Sequence, residues 1–489
     1  MAFVSLLVQG VFFAVVAYFA LYVLLELRVV LISRQVERRQ LSAIEPALPA
    51  ADGDDFPLVS VLLPVCNESA VVERLIDAVC RLRYPAARLE ILVLDDSTDK
   101  TSQLAAARVA HHTAAGVDIR LLTRASRQGF KAGNLVNGIS HSHGEFFAIF
   151  DADFIPPEDF LLRTIPCFRD PRLGFLQTGI GYVNRDASFL TKFQAMEMGH
   201  QQFLTVGLSA DGDMASLSGS SCVWRRACVD AIGGWSAATV TEDVDLGYRA
   251  QISDWKYAYL RDVVSLSELP ESISAFRVQR ERWGRGLIHS AFKHFGRMWQ
   301  QPMPVLKRLH AISMMLSSLL LAAIHVLLLL SLPLVLFASL DSPLLRWGAV
   351  GFSVLVAVWS IGNAIGARAG GRFGQARNVV GTLIDLYAYV ALFLPMAWYY
   401  FVGGVRAARG VSGEFNRTPK GHDERPAGQP RINGLLMLGE GLSFAYSAVA
   451  VIAGLLRGNW LLVPLNVTAC VGFGMVLYWS WREGAAKHA

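Results

Sequence analysis

The sequence has few cysteines, few charged residues and no basic cluster of the kind that binds nucleic acid. Its six cysteines are scattered through 489 residues without CxxC pairs or zinc-ligand spacing, which argues against a disulfide framework and a structural zinc site. Charged residues make up 17% of the chain and hydrophobic residues 53%. Because no basic patch is interleaved with aromatic side chains, we expect no nucleic-acid partner. The excess of apolar residues instead indicates a membrane protein.

The first apolar run, from Ser5 to Ile32, lacks the features of a cleaved signal peptide. No basic residues precede it, and no small-residue cleavage site follows a shorter apolar core. We therefore expect an uncleaved membrane anchor within residues 1–40. Basic residues follow the run and place the next segment in the cytoplasm by the positive-inside rule; they are Arg28, Arg34, Arg38 and Arg39. The expected location is the inner (cytoplasmic) cell membrane, with several spans and a cytoplasmic globular domain.

Five further apolar runs predict a membrane region over 306–405 and a C-terminal hairpin over 433–482. They lie at about 309–337, 345–366, 378–403, 434–455 and 460–481. The run at 378–403 has basic residues on both flanks, and a single crossing cannot leave both flanks in the cytoplasm. This run is therefore either re-entrant or interfacial, or one of its flanks departs from the rule.

Residues 56–265 have the pattern of an α/β domain. Three short apolar runs, beginning near Leu58, Leu89 and Glu145, are typical of buried strands, and a helix-like stretch follows the first. The second and third runs end on aspartates. Alternating strands and helices favour a doubly wound sheet, whose ligands bind beyond the carboxyl ends of the strands. Two acidic clusters are thus predicted at one edge of one sheet.

These acidic residues suit a divalent cation and a nucleotide. Asp151 and Asp153 are two positions apart, so in an extended segment both side chains point to the same side. Such a pair can hold Mg²⁺ or Mn²⁺ while phosphate oxygens occupy the remaining positions. Asp95 and Asp96 open the run Asp-Asp-Ser-Thr-Asp, whose serine or last aspartate can cap the next helix. That leaves another acid to accept hydrogen bonds from a ribose or base.

Two further segments offer a cation and a base. Lys131 follows a glycine turn, where it is either part of a solvated loop or a point charge for a diphosphate. Glu242 and Asp243 follow Thr241. One of these carboxylates can cap the following helix, and the other can act as a general base that removes a proton from an attacking hydroxyl.

Residues 266–305 are basic and aromatic, as in amphipathic helices that lie at the membrane surface. Gln279, Arg282 and Trp283 share one face of such a helix, since positions three and four apart are neighbours. One interpretation of this composition is that arginine and tryptophan side chains anchor the helix at the membrane surface. This interpretation applies above all to Arg280 and Arg285. In the functional alternative, Arg282 binds a leaving diphosphate and Trp283 stacks against a sugar ring.

With these motifs in order, the chain resembles the processive family 2 glycosyltransferases that include cellulose synthase. It is most similar to the cellulose synthase-like group that makes mannan and xyloglucan backbones. The resemblance runs from about Leu58 to Phe295 and returns at Gly413–Lys420. It implies a GT-A (Rossmann-like) cytoplasmic catalytic domain over 56–265, inserted between transmembrane helices. It also implies a cytoplasmic gating-type loop over 406–432.

The same resemblance implies a role for each motif. Binding of the nucleotide-sugar donor falls to Asp95, Asp96, Lys131, Asp151, Arg282, Thr418 and Lys420. Trp283, Gln279, Ser218 and Gly219 would bind the growing glycan acceptor. Asp151 and Asp153 would bind the Mg or Mn divalent cation, and Asp243 would be the catalytic base. The implied partners are the donor, the acceptor glycan and the lipid bilayer, and the sequence names no accessory subunit.

The implied reaction is an inverting, metal-dependent transfer from UDP-glucose or GDP-mannose that builds and secretes a β-glucan, a mannan or a glucomannan. The Asp-Asp-Ser-Thr-Asp form is closer to the mannan and xyloglucan enzymes than the Asp-Asp-Gly form of bacterial cellulose synthase. This departure, and the lack of an extra cytoplasmic regulatory domain after the spans, argue against glucose as the donor sugar and against control by a cyclic dinucleotide. One alternative is a non-processive enzyme that glycosylates a lipid. A more distant one is a non-enzymatic transporter with a nucleotide-sensing domain.

Overall fold

The computed structural model describes residues 2–38, 56–216, 218–337, 343–369, 379–410 and 430–485. The strands are β1 (Val59–Val65), β2 (Leu89–Asp95), β3 (Ile119–Thr123), β4 (Phe146–Ile149), β5 (Leu173–Tyr182), β6 (Cys222–Arg225) and β7 (Lys256–Ser267). The helices up to the end of the soluble domain are α1 (Ala2–Arg38), α2 (Val72–Cys80), α3 (Thr101–Ala114), α4 (Phe130–Ser140), α5 (Phe160–Thr164), α6 (Phe189–Asp211), α7 (Arg226–Ala231) and α8 (Glu242–Ile252). They are followed by α9 (Ile273–Trp299), α10 (Val305–Met315), α11 (Ser317–Phe337), α12 (Pro343–Ala369), α13 (Val379–Ala408), α14 (Pro430–Leu456) and α15 (Val463–Ala485).

The strands form one mixed sheet in the order β3-β2-β1-β4-β6-β5-β7. Strand β6 runs antiparallel to both of its neighbours, and the other paired strands are parallel. All seven residues of β1 are buried, because helices cover both faces of the sheet, and this explains the continuous apolar run in the sequence. The α/β class predicted from the sequence is confirmed, with one antiparallel strand that the sequence pattern did not indicate.

Two apolar cores lie on opposite faces of the sheet. One face packs against α2, α3 and α5, and the other packs against α4, α6 and α8. The second core includes Val29 and Val30 of α1. Helix α1 also meets α6 directly, where Ser33 Oγ donates a hydrogen bond to the Phe203 carbonyl oxygen at 2.8 Å. The first apolar helix is therefore part of the soluble domain's core as well as a candidate membrane span.

Within the described ranges, six helices are long and apolar enough to cross a bilayer. They are Leu6–Arg38, Ser317–Leu336, Leu345–Ala367, Leu383–Ala408, Ile432–Leu456 and Val463–Ala485. Their lengths meet the need for about 20 mostly apolar residues per span. The chain is therefore a multi-pass membrane protein that carries one soluble α/β domain between its first and second spans.

The helix α13, whose flanks gave conflicting topology signals, is one continuous helix and not a re-entrant loop. Near its C-terminal end, Gly403 packs against Arg285 of α9. The preceding span α12 also ends toward the soluble domain, since Gly366 packs against His200 of α6. Near their C-terminal ends, both helices thus contact other helices, α9 and α6 respectively. The connection between them, 370–378, lies outside the described residues.

Helix α9 buries its arginines Arg280 and Arg285, whereas Phe292, Phe295 and Trp299 toward its C-terminal end are exposed. Arg280 is 1% exposed and Arg285 is 5% exposed. Arg280 donates a hydrogen bond to Glu197 of α6 at 2.7 Å, and Arg285 Nε lies 3.4 Å from Glu281. The interpretation of these neighbouring arginines as surface anchors is wrong, because charges buried to this degree need carboxylate partners, and the protein supplies them.

Replacing Gly207 of α6 with valine should separate α1 from α6. A Cβ atom there would lie 2.3 Å from Ser33 Oγ and 2.9 Å from the Val29 carbonyl oxygen, so backbone would have to move. We expect the free energy of unfolding to fall by about 1–3 kcal/mol, a usual effect of overpacking, measured by thermal unfolding in detergent. Gly10→Val is the control, since nothing lies within 4 Å of a Cβ at Gly10. Equal stability of the two variants would contradict this packing.

Candidate active site

The predicted acidic clusters lie together at the carboxyl edge of the sheet. Asp95 ends β2 and Asp151 closely follows β4, and β1 lies between these two strands. Asp151 opens a tight turn, in which the Phe154 N–H donates to the Asp151 carbonyl oxygen at 3.0 Å. The argument that Asp151 and Asp153 share one side of an extended segment is therefore wrong. Both line the same cavity, but a turn brings them there.

The first acidic pair is engaged within the protein. Asp95 accepts a hydrogen bond from the Ser97 N–H at 2.9 Å. The two carboxylate oxygens of Asp96 accept from Arg124 at 2.7 and 2.5 Å. A carboxylate has several acceptor positions, so these contacts leave the role toward a ribose or base a prediction. Asp96 lines the cavity and Asp95 does not, so a contact between nucleotide and Asp96 stays a prediction.

The helix after this pair, α3, is capped by one of the two predicted residues. Lys100, directly before the first residue of α3, already has helical backbone angles (φ −59°, ψ −13°). Asp99 accepts from the N–H of Thr101 at 2.9 Å, so its carboxylate satisfies an otherwise unpaired amide of the first turn. Ser97 does not cap the helix: its Oγ accepts from the Asn67 N–H at 2.8 Å and ties the acidic motif to the segment that follows β1.

Lys131 points toward carboxylates and not into solvent. It is the second residue of α4, directly after a turn in which Gly129 has φ of +74°. Its Nζ lies 2.6 Å from Asp151 Oδ1 and 3.8 Å from Glu242 Oε1. Burial alone would lower the pKa of Lys131, but Asp151, Glu242 and Asp243, here called the acidic cluster, outweigh it and raise the pKa well above its usual value. The solvated-loop interpretation is wrong.

Glu242 and Asp243 open α8, and their carboxylates have different surroundings. Asp243 accepts from the Gly219 N–H at 2.8 Å and from the Val244 N–H at 2.9 Å, which fixes its orientation at the cavity wall. Glu242 is 6% exposed. Burial, together with the negative charge of Asp243, raises the pKa of Glu242 to about 7. The pair therefore holds one hydrogen-bonded carboxylate and one that takes up a proton near neutral pH.

The segment around Gly219 joins Asp243 to the Asp151 turn. A Cβ atom on Gly219 would lie 2.5 Å from Asp243 Cβ. Only glycine can therefore bring its N–H close enough to donate a hydrogen bond to the Asp243 carboxylate. One residue further, Ser220 Oγ accepts from the Asp151 N–H at 2.8 Å. Ser218 lines the cavity beside them. The predicted acceptor segment therefore touches both halves of the acidic site.

Asp153 is held from the β7 side of the site. It is 1% exposed, and one carboxylate oxygen accepts from Ser267 Oγ and, at 3.2 Å, from the Glu268 N–H. Across the part of the chain that the structure describes, no three His, Cys, Asp or Glu side chains are grouped to hold a metal ion. Asp151 and Asp153 therefore supply two protein ligands at most. This is typical of metal sites in which substrate phosphates fill the other positions.

Helix α9 brings a second cation and an aromatic ring to the cavity. Gln279, Arg282 and Trp283 all line it. Burial lowers the pKa of Arg282 against the opposing effect of the acidic cluster, so the guanidinium is a buried charge within the field of those carboxylates. The ring of Trp283 has the Arg280 guanidinium 4.5 Å from its centroid. Trp283 is therefore fixed on one side and borders the cavity.

One cavity of about 1030 Å³ connects these residues with the membrane helices. At its far end it is lined by side chains of α1, α11, α12, α13 and α15, among them Tyr22, Trp359 and Tyr387. Pockets for small ligands usually have about 300–1,000 Å³. The candidate site is thus the soluble end of a larger space that continues between the spans.

Some predicted residues are not described, and one contributor was not predicted. Thr418 and Lys420 lie outside the described residues. Arg124 was missed because the strand before it, β3, has the sequence Ile-Arg-Leu-Leu-Thr, whose short apolar run did not stand out as a strand. Once β3 is recognised, Arg124 follows a strand end just as Asp95 and Asp151 do, and this is the signal that would have found it.

Residues 57–286 match the family described as Glycosyltransferase like family 2. This part of the chain is a family 2-type glycosyltransferase domain. It extends from the residue pair before β1 into α9 and includes every site residue that the structure describes.

Two plant proteins show how this domain relates to curated enzymes. The probable glucomannan 4-beta-mannosyltransferase 6 of Oryza sativa subsp. japonica is 39% identical over 239 residues, which are 47% of this chain and 41% of the rice protein. The glucomannan 4-beta-mannosyltransferase 2 of Arabidopsis thaliana is 39% identical over 239 residues, 47% of this chain and 45% of the Arabidopsis protein. The match thus spans less than half the length of either relative. The resemblance to the mannan-synthase group is confirmed for the domain.

A solved structure supports the fold. The mannosyltransferase PcManGT from Pyrobaculum calidifontis, solved in complex with GDP-Man and Mn²⁺, has a TM-score of 0.51 and 19% sequence identity, covering 83% of this chain and 99% of that one. At this identity the likeness is one of fold. The predicted GT-A-type domain flanked by membrane helices is confirmed.

Glu242→Gln should change how stability depends on pH. Because the pKa of Glu242 is raised to about 7, above about 4.3 for a free glutamate, the folded protein keeps a proton that the unfolded chain loses. The free energy of unfolding should therefore fall as pH rises between those two values. Glutamine cannot ionise, so the melting temperature of the variant relative to wild type should rise more at pH 8 than at pH 5. The exposed Glu73→Gln is the control, and a difference independent of pH would contradict the assignment.

Proposed function

We propose that this chain is an inverting membrane glycosyltransferase that transfers mannose from GDP-mannose and builds a β-linked mannan or glucomannan. The observation that carries the proposal is the convergence of Asp243, Lys131 and Arg282 on one cavity that continues between the membrane helices. The plant relatives, named as glucomannan mannosyltransferases, support mannose as the donor sugar. The mannosyltransferase of like fold, solved with GDP-Man, supports GDP as the nucleotide.

Asp243 is the general base of this proposal. A sugar hydroxyl is a poor nucleophile at neutral pH, so a carboxylate that removes its proton during attack speeds the transfer. The two backbone N–H groups of Gly219 and Val244 hold the Asp243 carboxylate in place at the cavity wall. The acceptor hydroxyl then attacks the anomeric carbon from the face opposite the diphosphate, and an α-linked donor gives a β-linked product.

Two cations are placed to receive the departing diphosphate. Lys131 contributes a compact point charge and Arg282 a planar guanidinium, which suits phosphate oxygens. Both are held at the cavity beside the acidic cluster, where they can exchange a carboxylate partner for the negative charge that develops on the leaving group. Trp283 lines the same cavity and offers a stacking surface to the acceptor sugar.

The carboxylates of Asp151 and Asp153 fit a divalent cation by the chemistry of their oxygen donors. The side chain of Asp151 is 37% exposed, so it is accessible from the cavity. A bound Mg²⁺ or Mn²⁺ would supply positive charge against the diphosphate. Mn²⁺ in the mannosyltransferase of like fold supports this assignment.

The plant relatives, named as glucomannan mannosyltransferases, support a growing glycan over a single lipid acceptor. The wall of the cavity between the spans is mainly apolar and includes the aromatic rings of Tyr22 and Trp359. Aromatic faces are among the groups with which proteins bind sugar rings. We infer that the product moves through this space across the inner (cytoplasmic) cell membrane, with the glycosyltransferase domain on the cytoplasmic side.

The experiment that tests the function is a donor panel. Purified protein in nanodiscs with Mn²⁺ is incubated with GDP-mannose, GDP-glucose, UDP-glucose or UDP-N-acetylglucosamine, and released nucleotide and product are measured. We expect GDP release with GDP-mannose and a product that β-mannanase digests. A short, organic-extractable product would favour the lipid glycosyltransferase. No nucleotide release with any donor would leave the transporter.

Asp243→Asn should abolish transfer and leave GDP binding nearly unchanged, because it removes a proton acceptor with little change of shape. Turnover should fall by roughly 100-fold or more, within the range assigned to acid–base catalysis, while the Kd for GDP measured by calorimetry should stay within about a factor of two. Asp186→Asn, an exposed aspartate that does not line the cavity, is the control. Undiminished turnover in the Asp243 variant would remove it from this role.

A further inference from the structure

Arg124 lies behind the wall of the cavity and makes four hydrogen bonds. Its Nε and Nη2 donate to the two carboxylate oxygens of Asp96 at 2.7 and 2.5 Å. Its Nη1 donates to the Gln128 carbonyl oxygen at 2.7 Å, and Nη2 also donates to the Phe130 carbonyl oxygen at 2.8 Å. The side chain is 12% exposed and does not line the cavity. Arg124 therefore touches the site only through other residues.

The turn that Arg124 binds has an unfavourable backbone conformation. Gly129 has φ of +74° and Phe130, which has a side chain, has φ of +49°. Residues other than glycine rarely adopt positive φ, so the surrounding contacts must hold this one. Arg124 supplies such contacts on either side of Gly129, through the carbonyls of residues 128 and 130. The turn is also tight, because a Cβ atom on Gly133 would lie 2.1 Å from the Gln128 carbonyl oxygen and 2.7 Å from Arg124 Nη1.

The residue directly after this turn is Lys131. The direction of its side chain follows from the path of the turn, and that path carries Nζ to within 2.6 Å of Asp151. A turn that relaxed to ordinary φ values would point Lys131 elsewhere. The same guanidinium is bound to Asp96, which lines the cavity. Arg124 thus links the first acidic motif to the cation of the acidic cluster.

We propose that Arg124 is a positioning residue for transfer: it holds the turn at 128–130 and so aims Lys131 at the departing diphosphate. The inference rests on the proposed function, in which Lys131 receives that diphosphate. A planar fork with several fixed donors is required, because one ammonium group cannot reach two carboxylate oxygens and two carbonyls in this geometry. Lysine is therefore not a conservative replacement at this position.

The test compares Arg124→Lys, Lys131→Ala and the double variant in nucleotide release with GDP-mannose and Mn²⁺. We expect Arg124→Lys to lower kcat by roughly 10- to 100-fold, the effect of misplacing a group at a reacting centre. In the Lys131→Ala background it should add about twofold or less, because the two residues act as one unit. Arg120→Lys is the matched control: Arg120 lies on β3, the strand directly before Arg124, is paired with Glu90 at 2.8 Å and does not line the cavity.

Amide hydrogen exchange over 126–134 measures the turn directly, and it does not depend on activity. Exchange there should be faster in Arg124→Lys and unchanged in Arg120→Lys. An active wild type with a fully active Arg124→Lys variant, or with effects of Arg124→Lys and Lys131→Ala that multiply independently, would overturn this inference and leave the proposed function standing. A wild type inactive with every donor would overturn the proposed function instead. Exchange alone would then decide whether Arg124 holds the turn.

Discussion

Carboxylates cannot be gathered at one edge of a sheet unless cations are gathered with them, and this constraint shapes the site. Like charges in a partly buried space repel, and burial penalises each of them further. Lys131, 2.6 Å from Asp151 and 3.8 Å from Glu242, and the buried Arg282 offset that repulsion. Burial, and after it the charge of Asp243, still raises the pKa of Glu242 to about 7. A site of this kind is suited to a ligand that brings both a cation and a polyanion.

Helix α9 connects this site to the membrane region. Where α9 passes α8, a Cβ atom on Gly286 would lie 2.4 Å from Thr241 Cγ2, and where it passes α13, a Cβ atom on Gly284 would lie 2.8 Å from the Tyr400 Cα. Glycine therefore lets one helix pack closely against both the base-bearing helix and a span. Movement of α9 relative to α13 would disturb the acidic cluster directly.

Much of this was predictable from sequence, and the failures have physical reasons. Buried strands that end in Asp95 and Asp151 are visible because apolar runs and period are local properties. The pairing of Lys131 with Asp151 and of Arg124 with Asp96 is not local, so the sequence offered Lys131 only as one of two alternatives and Arg124 not at all. Arg280 was predicted to be a surface anchor, but it is buried. Composition alone does not show which residues of an amphipathic helix face other helices and which face lipid.

The most direct test is an experimental structure with GDP and Mn²⁺ bound. In that complex we expect Lys131 Nζ to leave Asp151 and to contact an oxygen of the diphosphate. Asp151 should then coordinate the ion through its carboxylate, and Arg282 should face the same diphosphate. A structure in which the nucleotide binds away from these residues, or in which Lys131 stays paired with Asp151 and no metal lies between protein and diphosphate, would contradict the proposed site.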